Sequence, residues 1–143
     1  MRVLLSSKNI QQDKIPEGFE FIKTTENFEA IASIPQNGCE VIICDSATDL
    51  LPYEKAKELF NILSSKIRSG GHMQIVGLDL ESLCEKTSIN EISCEDFNKV
   101  IASIHSVFGL TSLVSLLRYC GLDVVQSSKE SIGYKVICQN AKK

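Results

Sequence analysis

The apolar and polar positions along the chain change their period several times, and each change marks a predicted element. A short apolar run at 2–6 predicts a first strand, and residues 19–23 alternate in the manner of a second. Apolar runs at 41–44 and 73–78 predict two buried strands, with an amphipathic helix between them. Two such strands joined by a helix predict a parallel βαβ unit over residues 40–80, around which the rest of the chain is organised.

The second half of the chain predicts further helices and a hairpin. Residues 81–91 show no clear period and predict a loop with a short helical turn. An apolar stripe from Phe97 to Phe108 predicts an amphipathic helix, and another helix follows and ends at Gly121. Apolar strands at 122–126 and 134–138, joined by a polar turn, predict an antiparallel hairpin.

Together these elements predict an α/β fold in a single domain over residues 1–143. We expect a mainly parallel sheet with helices on both faces and the antiparallel hairpin at one end. A chain of 143 residues can bury one core and is too short for two. Its composition, 43% hydrophobic and 23% charged, is typical of a soluble globular domain.

Charge and hydropathy argue against two classes of partner. The net charge is −3 and the lysines are scattered, whereas nucleic-acid binding needs a clustered basic face. No apolar run approaches the roughly 20 residues that span a bilayer. We therefore expect a cytoplasmic protein with no nucleic-acid and no membrane partner.

The six cysteines show no metal-ligand spacing. None forms a CxxC pair, and Cys44 and Cys138 lie in apolar strands, where a free cysteine acts as a small hydrophobic residue. We predict no metal site and no disulfide framework.

Several polar residues follow predicted strands, at the end where open parallel sheets bind ligands. Asp45 and Ser46 follow one central strand, and Asp79 follows the next. Asp45 would contact an amine of a ligand or cap a loop, and Asp79 would bind substrate in the cleft or face away from it. Ser6 and Ser7, at the mouth of the first strand, would hold an anionic group.

Two residues are candidates for proton transfer. Asp49 could act as a general base, although an aspartate just before a helix also favours the helix N-terminus through the dipole. His105 lies on the helix predicted from Phe97 to Phe108, and the reference pKa of histidine lies near neutrality. The alternative for His105 is a boundary position on that helix without a catalytic role.

Four stretches of the chain follow each other in an order known from one enzyme family. They are Val41–Leu51, the Gly-Gly turn IRSGGHMQI at 67–75, LDLE at 78–81 and SVFGLTSLVSLLRYCGLDVV at 106–125. In this order they resemble the class I S-adenosylmethionine-dependent methyltransferases. More narrowly, they resemble the small branch whose chain begins directly with the cofactor-binding strand.

The resemblance implies S-adenosylmethionine as the cofactor. In the family, the end of the first strand holds the methionine part and the end of the second strand holds the ribose. Carried over position by position, the resemblance makes Ser6, Ser7, Lys23, Asp45 and Ser46 the cofactor-binding residues. Asp49 and His105 would then be catalytic, and Asp79 would bind substrate.

The chain departs from the family pattern at each cofactor contact. The first strand ends in LSSKN, without the glycines that let backbone approach the cofactor. Lys23 replaces an acidic residue and cannot accept a hydrogen bond, and a Glu-His pair is replaced by Asp49-Leu50. Only a short helix precedes the strand at 40, which leaves no room for an edge strand. The resemblance therefore implies a truncated, degenerate member.

Three functions are compatible with this pattern. The first is a non-catalytic interaction or regulatory module with a degenerate cofactor site. It would form a homodimer or pair with an active methyltransferase through the trimmed sheet edge. The second is an active small S-adenosylmethionine-dependent methyltransferase with an atypical cofactor loop and an unknown small-molecule acceptor. A different small-ligand binder of the doubly wound class is the third. The joint loss of the cofactor contacts favours the first.

Overall fold

The computed structural model describes residues 1–140, which form six strands, five α-helices and one short 3-10 helix, Gln12–Lys14. The strands are β1 (Arg2–Ser6), β2 (Glu20–Lys23), β3 (Cys39–Asp45), β4 (Ile67–Leu78), β5 (Leu122–Glu130) and β6 (Gly133–Asn140). The helices are α1 (Phe28–Ala32), α2 (Tyr53–Ser64), α3 (Leu80–Ser88), α4 (Cys94–Ala102) and α5 (Leu110–Tyr119).

All six strands form one sheet in the order β2-β1-β3-β4-β6-β5. The first four are parallel, and β6 is antiparallel to both of its neighbours. This arrangement confirms the predicted α/β fold, with the C-terminal hairpin inserted so that β6 lies next to β4. In the part of the chain that the structure describes, β2 is an edge strand with no further strand beyond it. The predicted trimming of the sheet is therefore also confirmed.

Alternation along the strands separates the two faces of the sheet. Side chains from neighbouring strands pair in register and fill one core. One row of paired, buried side chains runs across five strands and consists of Ile22, Leu5, Cys44, Ile75 and Val136. Helices α1, α2 and α5 contact each other in series over this face. Because β2 and β3 lie on opposite sides of β1, the rule that such crossovers are right-handed assigns residues 7–19, with their 3-10 helix, to the opposite face.

The region between β4 and α5 differs from its prediction. The sequence predicts a loop with a short helical turn at 81–91, but the nine-residue helix α3 forms there because Asp79 caps its N-terminus, accepting a hydrogen bond from the Ser82 N–H at 3.1 Å. The helix expected from Phe97 to Phe108 ends at Ala102. Phe108 is instead drawn into the core, where its ring packs 5.8 Å from that of Phe60. His105 therefore lies in a connecting segment and not on a helix.

The Gly70-Gly71 turn is part of β4. Helix α2 ends at Ser64, and β4 begins at Ile67 rather than after the glycines. Gly70 has a φ of +79°, and a Cβ at Gly71 would lie 2.7 Å from the Glu40 carbonyl oxygen. Glycine is therefore needed where β4 bulges against β3. The Gly-Gly pair, which resembles a turn in the sequence, forms an irregularity within the strand.

Candidate functional site

The five residues predicted to bind cofactor lie together at the carboxyl ends of the parallel strands. Ser6 pairs in register with Lys23, and the Ser7 N–H donates to the Ser46 carbonyl at 3.3 Å. Asp45 ends β3 and is exposed, and Lys23 forms an ion pair with Glu26 at 2.9 Å. The structure thus brings the five residues to one end of the sheet, and the contacts there show how these side chains are used.

The loop after β3, residues 46–50, is the centre of this end of the molecule, and we call it the clasped loop. Each of its five carbonyl oxygens lies within hydrogen-bond distance of a donor from elsewhere in the chain. The Ser7 hydroxyl donates to the Ser46 carbonyl at 2.6 Å, and the Thr24 hydroxyl donates to the Ala47 carbonyl at 2.6 Å. Both hydroxyl residues are buried, at 0% and 1% exposure. The ends of β1 and β2 are therefore tied to the loop after β3.

The segment after α4 holds the other half of the clasped loop. The Ser106 hydroxyl donates to the Thr48 carbonyl at 2.7 Å, and the N–H groups of His105 and Ser106 donate to the Asp49 carbonyl at 2.6 and 3.2 Å. His105 Nδ1 lies 3.1 Å from the Leu50 carbonyl oxygen. His105 is thus beside the predicted site, but it contacts the loop backbone and its ring is otherwise exposed.

The residues at the end of β1 do not fit S-adenosylmethionine as the family binds it. Binding of that kind needs open backbone above the first strand, which glycine provides. Here serine side chains stand in place of glycine: Ser6 and Ser7 are buried, and the Ser7 hydroxyl is held by a hydrogen bond of 2.6 Å to the Ser46 carbonyl. Two cavities adjoin the clasped loop, of about 340 Å³ beside Asp45 and Ser46 and about 290 Å³ beside Thr24 and Leu51. Neither is lined by Ser6 or Ser7.

The surroundings of Asp49 at this end of the molecule alter its proton affinity. Its side chain is buried except for 12% of its surface, and burial raises the pKa of its carboxyl group. The Lys8 ammonium, 3.5 Å away, and a hydrogen bond from Ser46 lower the pKa but do not cancel the effect of burial. A carboxyl group whose pKa is raised by burial is a candidate for proton transfer.

Asp79 lies away from the clasped loop and inside the protein. Its side chain is fully buried and accepts hydrogen bonds from the Ser82 hydroxyl at 2.6 Å and from the Leu110 N–H at 2.8 Å. Burial alone would raise the pKa of Asp79, but these hydrogen bonds and Lys129 at 3.5 Å outweigh it and hold the pKa below its usual value. In the structure, Asp79 therefore caps helices α3 and α5, which is an alternative to the predicted contact with substrate.

Thr24, Ser106 and Tyr134 belong to this end of the molecule and were not identified from the sequence. Thr24 directly follows β2, so its position at a strand end was the available signal. Tyr134 is buried at 6% exposure, and burial raises the pKa of its hydroxyl group, with further contributions from Asp49 and other acidic groups. No pattern in the sequence indicates that these three residues approach one loop.

Residues 1–140 contain neither a cluster of metal ligands nor a membrane-spanning helix. Within that range no group of three or more histidine, cysteine or acidic residues is placed to hold a metal ion. None of the helices described there has the length and apolar character needed to cross a membrane.

The fold is similar to that of solved methyltransferase structures. Human N-acetylserotonin methyltransferase in complex with S-adenosylmethionine matches with a TM-score of 0.59 and 13% identity, over 90% of this chain and 36% of that one. An O-methyltransferase family protein from Burkholderia thailandensis matches with a TM-score of 0.60 and 13% identity, over 86% and 36%. A SAM-dependent methyltransferase from Methanosarcina mazei matches with a TM-score of 0.54 and 11% identity, over 85% and 66%.

These similarities show that the chain has the fold of class I S-adenosylmethionine-dependent methyltransferases, as the sequence resemblance implied. The chain spans little more than a third of the length of the first two proteins. No protein-family model matches the sequence, and no curated protein is significantly similar to it.

Proposed function

We propose that this protein is a methyltransferase-fold interaction or regulatory module that does not use S-adenosylmethionine. One observation carries the proposal: the buried Ser7 side chain stands directly after β1, where the family has glycine, and its hydroxyl donates to the Ser46 carbonyl at 2.6 Å. A cofactor that met the backbone there would have to break this bond and displace a fully buried side chain. The Ser46 carbonyl would keep only longer contacts from the N–H groups of Ser7 at 3.3 Å and Asp49 at 3.4 Å, and loss of the hydroxyl bond would cost about 0.5–1.5 kcal/mol.

Lys23 supports the same proposal from the second strand. It ends β2, where the family has an acidic side chain that accepts hydrogen bonds from the ribose, and its ammonium group can only donate. Its ion pair with Glu26 at 2.9 Å also occupies the nearest carboxylate. Two contacts expected from the family are therefore changed on two different strands.

The test is a calorimetric titration with S-adenosylmethionine and S-adenosylhomocysteine, run beside a competent methyltransferase as the positive control. We expect no binding tighter than about 100 μM, which corresponds to roughly −5.5 kcal/mol. Tighter binding that competes between the two ligands would overturn the proposal.

An active small methyltransferase with an atypical cofactor loop and an unknown small-molecule acceptor is the second candidate. The cavity of about 340 Å³ beside Asp45, Ser46 and Tyr134 favours it, because its size lies at the lower end of the range for small-molecule sites. In that case Asp49 would act as the general base. A cofactor-dependent activity that Asp49→Asn reduces at least tenfold, with unchanged cofactor affinity, would support this candidate.

As an interaction module, the protein would bind a second copy of itself or an active methyltransferase. The edge of β2 supports this proposal, because an unpaired strand edge is a template for pairing. The strand has only four residues, so we expect a weak association. Sedimentation of the purified protein from 1 to 100 μM tests the homodimer, which requires a mass that rises with concentration.

A further inference from the structure

Three hydroxyl groups that hold the clasped loop come from segments that are distant in sequence. Ser7 lies 39 residues before its acceptor Ser46, Thr24 lies 23 residues before Ala47, and Ser106 lies 58 residues after Thr48. The three acceptors are consecutive carbonyl groups. The hydroxyls therefore converge on a single stretch of backbone from the ends of β1 and β2 and from the segment before α5.

Two of these hydrogen bonds are buried, and the third, from Ser7, is part-buried. Ser7, Thr24 and Ser106 are buried, and so are Ala47 and Thr48 of the loop. The Thr48 carbonyl also accepts from the Leu51 N–H at 3.0 Å and the Ser46 carbonyl from the Ser7 N–H at 3.3 Å, so the Ala47 carbonyl depends most on its hydroxyl donor. A buried carbonyl group without a donor is unfavourable, so a loop that loses the Thr24 hydroxyl is relieved by moving the Ala47 backbone to water. Because the acceptors are consecutive, moving one of them into solvent pulls its neighbours away from their donors.

We propose that the clasped loop is a gate, which opens and closes the ligand end of the sheet as one cooperative unit and is kept closed by the hydroxyls of Ser7, Thr24 and Ser106. The inference rests on the proposed function, in which this loop closes over β1 instead of lining a cofactor site. Opening the gate frees the end of β1 and exposes the Asp49 side chain. The rest of the sheet, held by the ladders of β4 and β6, stays folded.

Cooperativity makes a specific prediction for hydrogen exchange. In Thr24→Val, which keeps the shape of the side chain and removes the donor, we expect the His105 and Ser106 amides to exchange about tenfold faster. These amides donate to the Asp49 carbonyl and do not touch Thr24. In Ser106→Ala, we expect a similar increase at the Ser7 and Thr24 amides, on the other side of the loop.

Three variants serve as controls. Thr24→Ser restores a hydroxyl and should return the exchange rates to near the wild-type values. Thr87→Val and Ser103→Ala remove hydroxyls that donate at 2.7 Å to carbonyls of their own helices, α3 and α4. We expect neither of them to change exchange at Ser7, His105 or Ser106.

Two results would overturn the gate. In the first, each variant accelerates exchange only within its own segment, which means that the hydroxyls act separately. In the second, the amides of Ile75 and Val136 in β4 and β6 accelerate by the same factor, which means that the hydroxyls support the whole fold. Binding of S-adenosylmethionine by the wild-type protein would overturn the proposed function and is measured separately by calorimetry. The two failures are therefore distinguishable.

Discussion

The Asp79 carboxylate accepts a hydrogen bond from the Leu110 N–H at 2.8 Å, so the residue after β4 caps a helix that begins 31 residues later. The same carboxylate caps α3 through Ser82. Glu81 reinforces the cap of α5 by accepting a hydrogen bond from the Thr111 N–H at 3.1 Å. One buried carboxylate therefore sets the start of two helices, on either side of α4.

The first prediction is that Asp79→Asn destabilises the protein by about 2–3 kcal/mol, because hydrogen bonds to a charged acceptor are strong and the amide presents donors to donors. Urea denaturation measures the free energy of unfolding. Glu95→Gln is the control, since it removes an exposed acid of the first turn of α4 and should cost less than about 0.5 kcal/mol. Equal losses in the two variants would contradict the capping role.

The second prediction concerns acid. Hydrogen bonds hold the pKa of Asp79 in the folded protein below its usual value, which is about 3.9 for an unfolded chain. The stability from this group is therefore fully present above about pH 4 and is lost as pH falls through the folded pKa. Unfolding curves at pH 7, 5, 4 and 3 should show the advantage of the wild type over Asp79→Asn shrinking only below about pH 4. An advantage that is independent of pH would rule out ionisation as its cause.

The third prediction has the opposite sign. Burial raises the pKa of Asp49, so the folded protein binds a proton more tightly than the unfolded chain does. Stability from this group is present at low pH and is lost as pH rises from about 4 towards the folded pKa. Asp49→Asn, which resembles the protonated form, should gain stability relative to the wild type between pH 4 and pH 7. A relative loss over that range would show that the contact with Lys8 outweighs burial.

The fourth prediction concerns Lys66, a buried lysine between α2 and β4 whose side chain reaches the end of α1. Its ammonium group donates to the carbonyls of Ala32 at 3.0 Å and Ile34 at 2.7 Å. Lys66→Met keeps the apolar stem but leaves these carbonyls unpaired, which should cost about 1–3 kcal/mol in chemical denaturation. Lys57→Met, which removes an exposed ion pair with Glu54, should cost less than about 1 kcal/mol.

The fifth prediction tests the packing of Gly77 against Tyr134. A Cβ at Gly77 would lie 2.9 Å from the Tyr134 hydroxyl oxygen, and the Tyr134 ring is buried. Gly77→Ala should therefore destabilise the protein by about 1–3 kcal/mol through overpacking. Tyr134→Phe removes the crowded oxygen, so the double variant should be more stable than the sum of the two single changes predicts. Simple additivity would show that the strain lies elsewhere.

Much of the sheet could be predicted from local pattern. Strand β3 has an apolar run at 41–44 because both of its faces are partly covered, whereas β6 alternates between buried and more exposed positions. Both patterns are visible without tertiary information. The hairpin of β5 and β6 was predicted because its connection is too short for a crossover. The fold and the missing edge strand followed from the order of these elements.

Of the helices between β4 and β5, α5 was predicted from its apolar positions and the Gly121 that follows it, whereas α3 and the end of α4 could not be placed from pattern alone. Helix α3 depends on the capping contacts of Asp79, and its weak apolar period resembles that of a loop. Phe108 matched the helical period of Phe97 and its neighbours, but it packs against Phe60 and Tyr53, which lie about 50 residues earlier in the chain. Only tertiary packing separates these alternatives, because the period of a short apolar stripe does not reveal which surface it contacts.

The sequence by itself determined that a parallel sheet brings Ser6, Ser7, Lys23, Asp45 and Ser46 to one end, because strand direction and order follow from local pattern. It also determined that glycine is absent where a cofactor would meet backbone. Only the tertiary structure decided what those side chains do. The hydroxyls of Ser7, Thr24 and Ser106 meet the carbonyls of a single loop across 23 to 58 residues. The physical reason is that buried acceptors from distant segments set the position of a polar side chain. The local pattern of apolar and polar residues does not show which distant segments come together.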